Sequence, residues 1–114
     1  MSQLKNKKAI ITGGSRGLGK ATALAFAKEG IDIAITGRNE KTLIATVAEL
    51  EVYGVKAIYS IFDVGNYEAV KSSIKNIVAT LGTVDILVNN AGIAVAGSFN
   101  EMEVSVWSQI IQTN

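Results

Sequence analysis

A chain of 114 residues suits one small domain, and its 48% apolar residues can supply a core. The net charge of +1, with acids and bases interspersed, gives no electrostatic reason to expect nucleic acid or an anionic membrane as partner. With no Cys and no His, disulfides, Cys/His zinc sites, cysteine nucleophiles and histidine general bases are excluded.

In chain order, Met1 to Lys8 is polar, with Lys5, Lys7 and Lys8 read as a solvated end rather than part of a signal peptide. No window nears the roughly 18 apolar residues of a membrane span, so a cytoplasmic protein is expected. Lys8 to Thr12 is a β-branched apolar run, read as a buried strand. Gly13 to Gly19 is a glycine-rich turn, and Lys20 to Glu29 has helical spacing with Gly30 as its stop. Ile31 to Thr36 reads as a second strand. Glu40 to Tyr53 reads as a second helix, with Leu43, Ile44, Val47 and Leu50 on one face. Val55 to Phe62 is a third strand and Tyr67 to Leu81 a third helix, striped by Val70, Ile74, Ile77, Val78 and Leu81. Val84 to Val88 is a fourth strand, Gly92 to Asn100 a looser segment, and Val104 to Asn114 a last helix carrying Val106, Trp107, Ile110 and Ile111.

Short apolar strands alternating with amphipathic helices predict an α/β fold, a doubly wound parallel sheet with helices on both faces. The predicted strand order is 3-2-1-4. All of 1–114 is expected to be the N-terminal, dinucleotide-binding part of one domain, truncated after the fourth strand and its following helix. The outer edge of the fourth strand is then open. That edge and the last helix are candidate surfaces for self-association.

Thr12-Gly-Gly-Ser-Arg-Gly-Leu-Gly19 gives the spacing T-G-x-x-x-G-x-G between a strand and a helix. Glycine there permits a tight turn, close backbone approach to a pyrophosphate and tight helix–strand packing. The helix N-terminus adds free N–H groups and a positive dipole end. An isolated glycine cluster would equally be an ordinary turn; its position after the first strand argues for the dinucleotide. At the end of the second strand, Thr36-Gly37-Arg38-Asn39 has no acid to receive a ribose 2′-hydroxyl. Arg38, with Arg16 from the glycine loop, offers two guanidiniums matched to a 2′-phosphate, which favours NADP(H) over NAD(H). The alternative is that both arginines are solvated loop residues.

With Asp63-Val64 after the third strand and Asn89-Asn-Ala-Gly92 after the fourth, the sequence resembles the short-chain dehydrogenase/reductase family over essentially its whole length. In look it is closest to 3-oxoacyl-carrier-protein reductases and related sugar or steroid reductases. The resemblance implies a Rossmann-type fold and an NADP(H)-dependent oxidoreductase that interconverts a small carbonyl and an alcohol. It implies that Gly13, Gly14, Ser15, Arg16, Gly17, Leu18 and Gly19 line the pyrophosphate and ribose, and that Arg38 neighbours the 2′-phosphate. Asp63 would contact the adenine amino group and Val64 its ring, while Asn90, Ala91 and Gly92 lie along the adenosine. Asn89 would help hold the central sheet. Asn114 matches the catalytic Asn that positions a water in the proton relay. The plainer readings are a polar turn at Asn89-Asn90 and a frayed end at Asn114.

The family's remaining catalytic groups are a Ser, a Tyr and a Lys four residues after it, all following that Asn. The 114 residues are therefore expected to be inactive alone, as the front portion of a longer reductase. The alternative is a non-catalytic nucleotide-binding or self-associating module. Tyr67-Glu-Ala-Val-Lys71 fits Y-x-x-x-K as text but falls in the third helix, before N-N-A-G, and is read as a decoy.

Overall fold

The computed structural model describes residues 5–15, 17–61 and 66–89, together with the backbone of 92–95. The elements follow as β1 (Lys8–Thr12), α1 (Gly17–Lys28), β2 (Asp32–Gly37), α2 (Glu40–Glu51), β3 (Ala57–Ile61), α3 (Tyr67–Leu81), β4 (Ile86–Asn89) and β5 (Gly92–Val95). The sheet order is β3-β2-β1-β4-β5. The β1–β2, β2–β3 and β1–β4 pairs are parallel, with Ile10 opposite both Ala34 and Leu87. The expected 3-2-1-4 order and the α/β class are thus present.

The two-residue period of a strand divides the core. Ala9, Ile11, Ile33 and Ile35 face one side of the sheet, where Ala23 and Ala27 of α1 and Leu43 and Leu50 of α2 cover them. Ile10, Ala34 and Leu87 face the other side, under Val70, Ile74, Ile77 and Leu81 of α3. These α3 positions recur at helical spacing and make one stripe. Because both faces of β1 and β2 are covered, the strands read as continuous apolar runs. Each fully buried Ile or Leu contributes about 1.5–3 kcal/mol.

Polar groups lock the entry end of the strands. The Lys8 backbone N–H donates to Asp85 Oδ2 at 2.9 Å, and the Lys8 ammonium pairs with Asp32. The other Asp32 oxygen accepts the Lys56 N–H at 2.9 Å. Burial works to raise the Asp32 carboxyl, but the Lys8 hydrogen bond, the Lys56 N–H and the charges of both lysines outweigh it and hold it below its ordinary value.

Two features depart from the sequence reading. α1 begins at Gly17, inside the segment expected to be a turn, because the Gly17-Leu-Gly19 stretch forms the helix's first residues. The outer edge of β4 is not open. β5 pairs with it antiparallel, with Asn89 opposite Gly92 and Ile86 opposite Val95. Gly92-Ile-Ala-Val95 is only four residues long, too short to declare a period, yet its β-branched residues suit a strand and its pairing satisfies the β4 backbone edge. The edge proposed for self-association is therefore taken up within the chain. The last helix expected over 104–114 lies outside the described residues.

Candidate functional site

The exit ends of β1 and β2 carry a loop that folds back on the sheet. The Gly13 and Gly14 N–H groups both donate to Thr36 O, at 2.9 and 3.3 Å, and this pins the loop to the end of β2. A Cβ on Gly14 would stand 2.4 Å from Ile35 Cγ2, and one on Gly19 would stand 2.2 Å from the Gly13 carbonyl oxygen. A side chain at Gly14 would push the loop off β2, and one at Gly19 would push α1 off the loop. Gly17 differs: it holds φ +48°, and a Cβ there would meet none of the described residues within 4 Å. It is exposed among the described residues, which leaves its backbone accessible to a ligand.

The helix that starts here is unlike its neighbours. The α2 and α3 N-termini are satisfied by Asn39 and Asn66, whose side chains accept the Thr42 and Ala69 N–H groups, and Glu40 and Glu68 stand in their first turns. α1 has no acid in its first turn. Lys20 follows Gly19 instead, and its ammonium pairs with Glu49 of α2 at 2.9 Å. A positive helix end without a carboxylate of its own, framed by close-packed glycines, is suited to an anion such as a phosphate. Beside it, Leu18 is 82% exposed and offers apolar surface to whatever occupies the cradle.

The second wall is the start of α2. Arg38 follows β2 on an exposed bend, and among the described residues nothing engages its side chain. The Ser15 and Thr42 hydroxyls lie 3.3 Å apart, joining the glycine loop to α2, while Thr42 Oγ1 also lies 3.0 Å from Asn39 O. On the far side of β2, the Tyr59 hydroxyl donates to Glu40 Oε2 at 2.9 Å. That hydrogen bond, aided by partial burial and the carboxylate's charge, raises the Tyr59 phenol above its ordinary value. At the end of β4, Asn89 is buried and its Oδ1 lies 3.1 Å from the donating Thr12 hydroxyl, which ties the exit ends of β1 and β4 together.

The structure thus brings Gly13, Gly14, Ser15, Gly17, Leu18, Gly19 and Arg38 to one end of the sheet. Gly92 starts β5, opposite Asn89. Arg16, Asp63, Val64, Asn90, Ala91 and Asn114 lie outside the described residues. Tyr67 and Lys71 occupy α3, on the face of the sheet opposite α1 and α2. Among the described residues no cluster of acids could hold a metal ion, and no helix is long and apolar enough to cross a membrane. Sequence reasoning missed Thr42, Glu40, Tyr59 and the capping role of Asn39. For Asn39 the signal was available: an Asn just ahead of an apolar-periodic helix is a capping signature. The Tyr59–Glu40 bond joins residues 19 positions apart and leaves no local pattern.

A family model described as short chain dehydrogenase matches residues 7–114. The 3-oxoacyl-(acyl-carrier-protein) reductase of Chlamydia muridarum is 38% identical over 114 residues, covering 99% of this chain and 46% of the reductase. The 3beta-hydroxysteroid dehydrogenase of Mediterraneibacter gnavus is 38% identical over 115 residues, covering 100% of this chain and 42% of the relative. Among solved structures, an NAD+-bound xylitol dehydrogenase superposes with a TM-score of 0.73 at 32% identity, covering 75% of this chain and 33% of that one. The chain spans less than half the length of these relatives.

Proposed function

The chain belongs to the short-chain dehydrogenase family, and from that premise we propose that its 114 residues are the dinucleotide-binding part of an NADP(H)-dependent oxidoreductase. The observation that carries this is the start of α1: an acid-free helix end, with Gly17 open to solvent and Gly14 and Gly19 packed too tightly for any side chain. That cradle fits a pyrophosphate. Gly13, Gly14, Ser15, Arg16, Gly17, Leu18 and Gly19 would hold the pyrophosphate and ribose, and the N–H groups of the helix start would donate to its oxygens. Asp63 and Val64 would receive the adenine, and Asn90, Ala91 and Gly92 would run along the adenosine. When bound, the nicotinamide group supplies a hydride acceptor or donor.

Arg38 carries the choice of NADP(H) over NAD(H). Among the described residues nothing engages its guanidinium, which would meet a 2′-phosphate with Arg16 as the second fork. Asn114 would place a water for proton transfer, a step for which the family's chemistry also uses a Ser, a Tyr and a Lys. The likeness to the Chlamydia muridarum reductase makes a 3-oxoacyl thioester the first carbonyl to try with such an enzyme. Calorimetric titration of the chain with NADP+ and NAD+ tests the reading. Tighter binding of NADP+ is expected, and Arg38→Ala should weaken NADP+ by roughly tenfold while leaving NAD+ nearly unchanged. Equal or tighter binding of NAD+ by the unsubstituted chain overturns the assignment.

A further inference from the structure

The first turn of α2 carries two polar side chains that go opposite ways. Thr42 reaches toward the glycine loop, where its hydroxyl meets Ser15. Glu40 reaches toward β3, where Tyr59 donates to its carboxylate. Since the sheet order is β3-β2-β1, these contacts lie on opposite sides of β2. Glu40 is only two positions from Arg38, and as an exposed acid at this helix start it could reach the ribose corner. An acid at that corner accepts from a free 2′-hydroxyl and repels a 2′-phosphate. The sequence therefore places, next to its phosphate-binding arginine, a group of the opposite preference.

We infer that Tyr59 is a positioning residue for cofactor choice: by hydrogen-bonding Glu40 on the β3 side of β2, it withholds a competing carboxylate from the 2′-phosphate corner beside Arg38 and Ser15. The inference rests on the NADP(H) reading above. At 2.9 Å the contact lies within the O–H···O range, and the same hydrogen bond is the first cause that raises the Tyr59 phenol above its ordinary value. The carboxylate stands in the first turn of α2, where the helix's positive end favours a negative charge. Freed from Tyr59, it can swing toward Arg38 and pair with it, which would both occupy the guanidinium and repel a phosphate.

The test is calorimetric titration of the full chain and three variants with NADP+ and with NAD+, read as the ratio of the two dissociation constants. In Tyr59→Phe the preference for NADP+ should fall about two- to fivefold, the range expected for one solvent-screened charge. Glu40→Gln should keep or raise the preference, and the double variant Tyr59→Phe/Glu40→Gln should recover it. A second readout needs no ligand: in Glu40→Gln the ultraviolet titration of Tyr59, taken as the difference from Tyr59→Phe, should move to lower pH. An unchanged ratio in Tyr59→Phe, or a loss that the double variant fails to recover, overturns the inference, the latter by showing a merely structural role. If the unsubstituted chain itself prefers NAD+ or binds neither dinucleotide, it is the NADP(H) reading that has failed, and the variants' ratios are not what decides it.

Discussion

Substituting Gly19 by Ala puts the packing of α1 against the glycine loop to a direct test. A Cβ there would sit 2.2 Å from the Gly13 carbonyl oxygen, 2.9 Å from its carbon and 3.3 Å from Gly14 Cα. The first distance is about 1 Å inside ordinary carbon–oxygen contact of roughly 3.3 Å. All three neighbours are backbone atoms, so no rotamer change relieves the clash. Overpacking of this kind costs about 1–3 kcal/mol, and the rigid surroundings put Gly19 near the upper end. Against it stands the helix preference of Ala over Gly, about 1 kcal/mol. The net loss is about 2 kcal/mol, a fall in melting temperature of roughly 8–16 °C for a domain of this size. Thermal unfolding followed by far-ultraviolet circular dichroism measures it. Gly17→Ala is the matched control: none of the described residues lies within 4 Å of its added Cβ, so the φ of +48° carries the penalty, about 1–2 kcal/mol. If Gly19→Ala melts at or above the parent temperature, helix preference has won, and α1 does not approach the loop as closely as described.

Asn39→Ala should cost about 0.5–2 kcal/mol by removing the cap on the Thr42 N–H, measured by urea unfolding, and should weaken NADP+ binding by loosening the Thr42–Ser15 contact. Asp32→Asn should cost about 1 kcal/mol at neutral pH. Because the Asp32 carboxyl is held below its ordinary value, its contribution is complete above the usual carboxylate range and fades as pH falls through the lowered one. The stability difference between Asp32→Asn and the parent should therefore shrink in strong acid, and a constant difference from pH 7 to pH 2 would contradict this. The 114-residue chain with NADPH and a generic ketone should show no cofactor consumption above background, and measurable turnover would contradict the reading of these residues as a dinucleotide-binding part alone.

The fold was legible where one local pattern had one structural solution. Lys8–Thr12 and Tyr67–Leu81 have the bounds that their apolar runs and stripes suggest, since Ile10 and Ile11 must find opposite faces and Val70, Ile74, Ile77 and Leu81 one face. Boundaries failed where glycine hid them: Gly17 and Gly19 look like turn residues but open a helix. β5 escaped because its pairing depends on β4 being beside it, not on any pattern of its own. In the site, the glycine positions were readable because Gly14 leaves no room for a side chain against Ile35, Gly19 none against the Gly13 carbonyl, and Gly17 holds a positive φ. The contacts that organise the α2 wall, Ser15 to Thr42 and Tyr59 to Glu40, depend on which loops the sheet order brings together.

The central place of β1 also sets a timetable for synthesis. β1 is made first among the strands but needs partners on both sides, and its Thr12 meets Asn89 only 77 positions later. At roughly 5–20 residues per second, the ribosome leaves one edge of β1 without its partner for about 4–15 s. Through that interval the nascent chain displays Lys8-Ala-Ile-Ile-Thr12 as an apolar ribbon with its β4-facing edge unpaired. The strand that leads into the glycine loop is thus the one most exposed to wrong partners at birth. Chaperone demand during translation should track the completion of β4 rather than of the glycine loop.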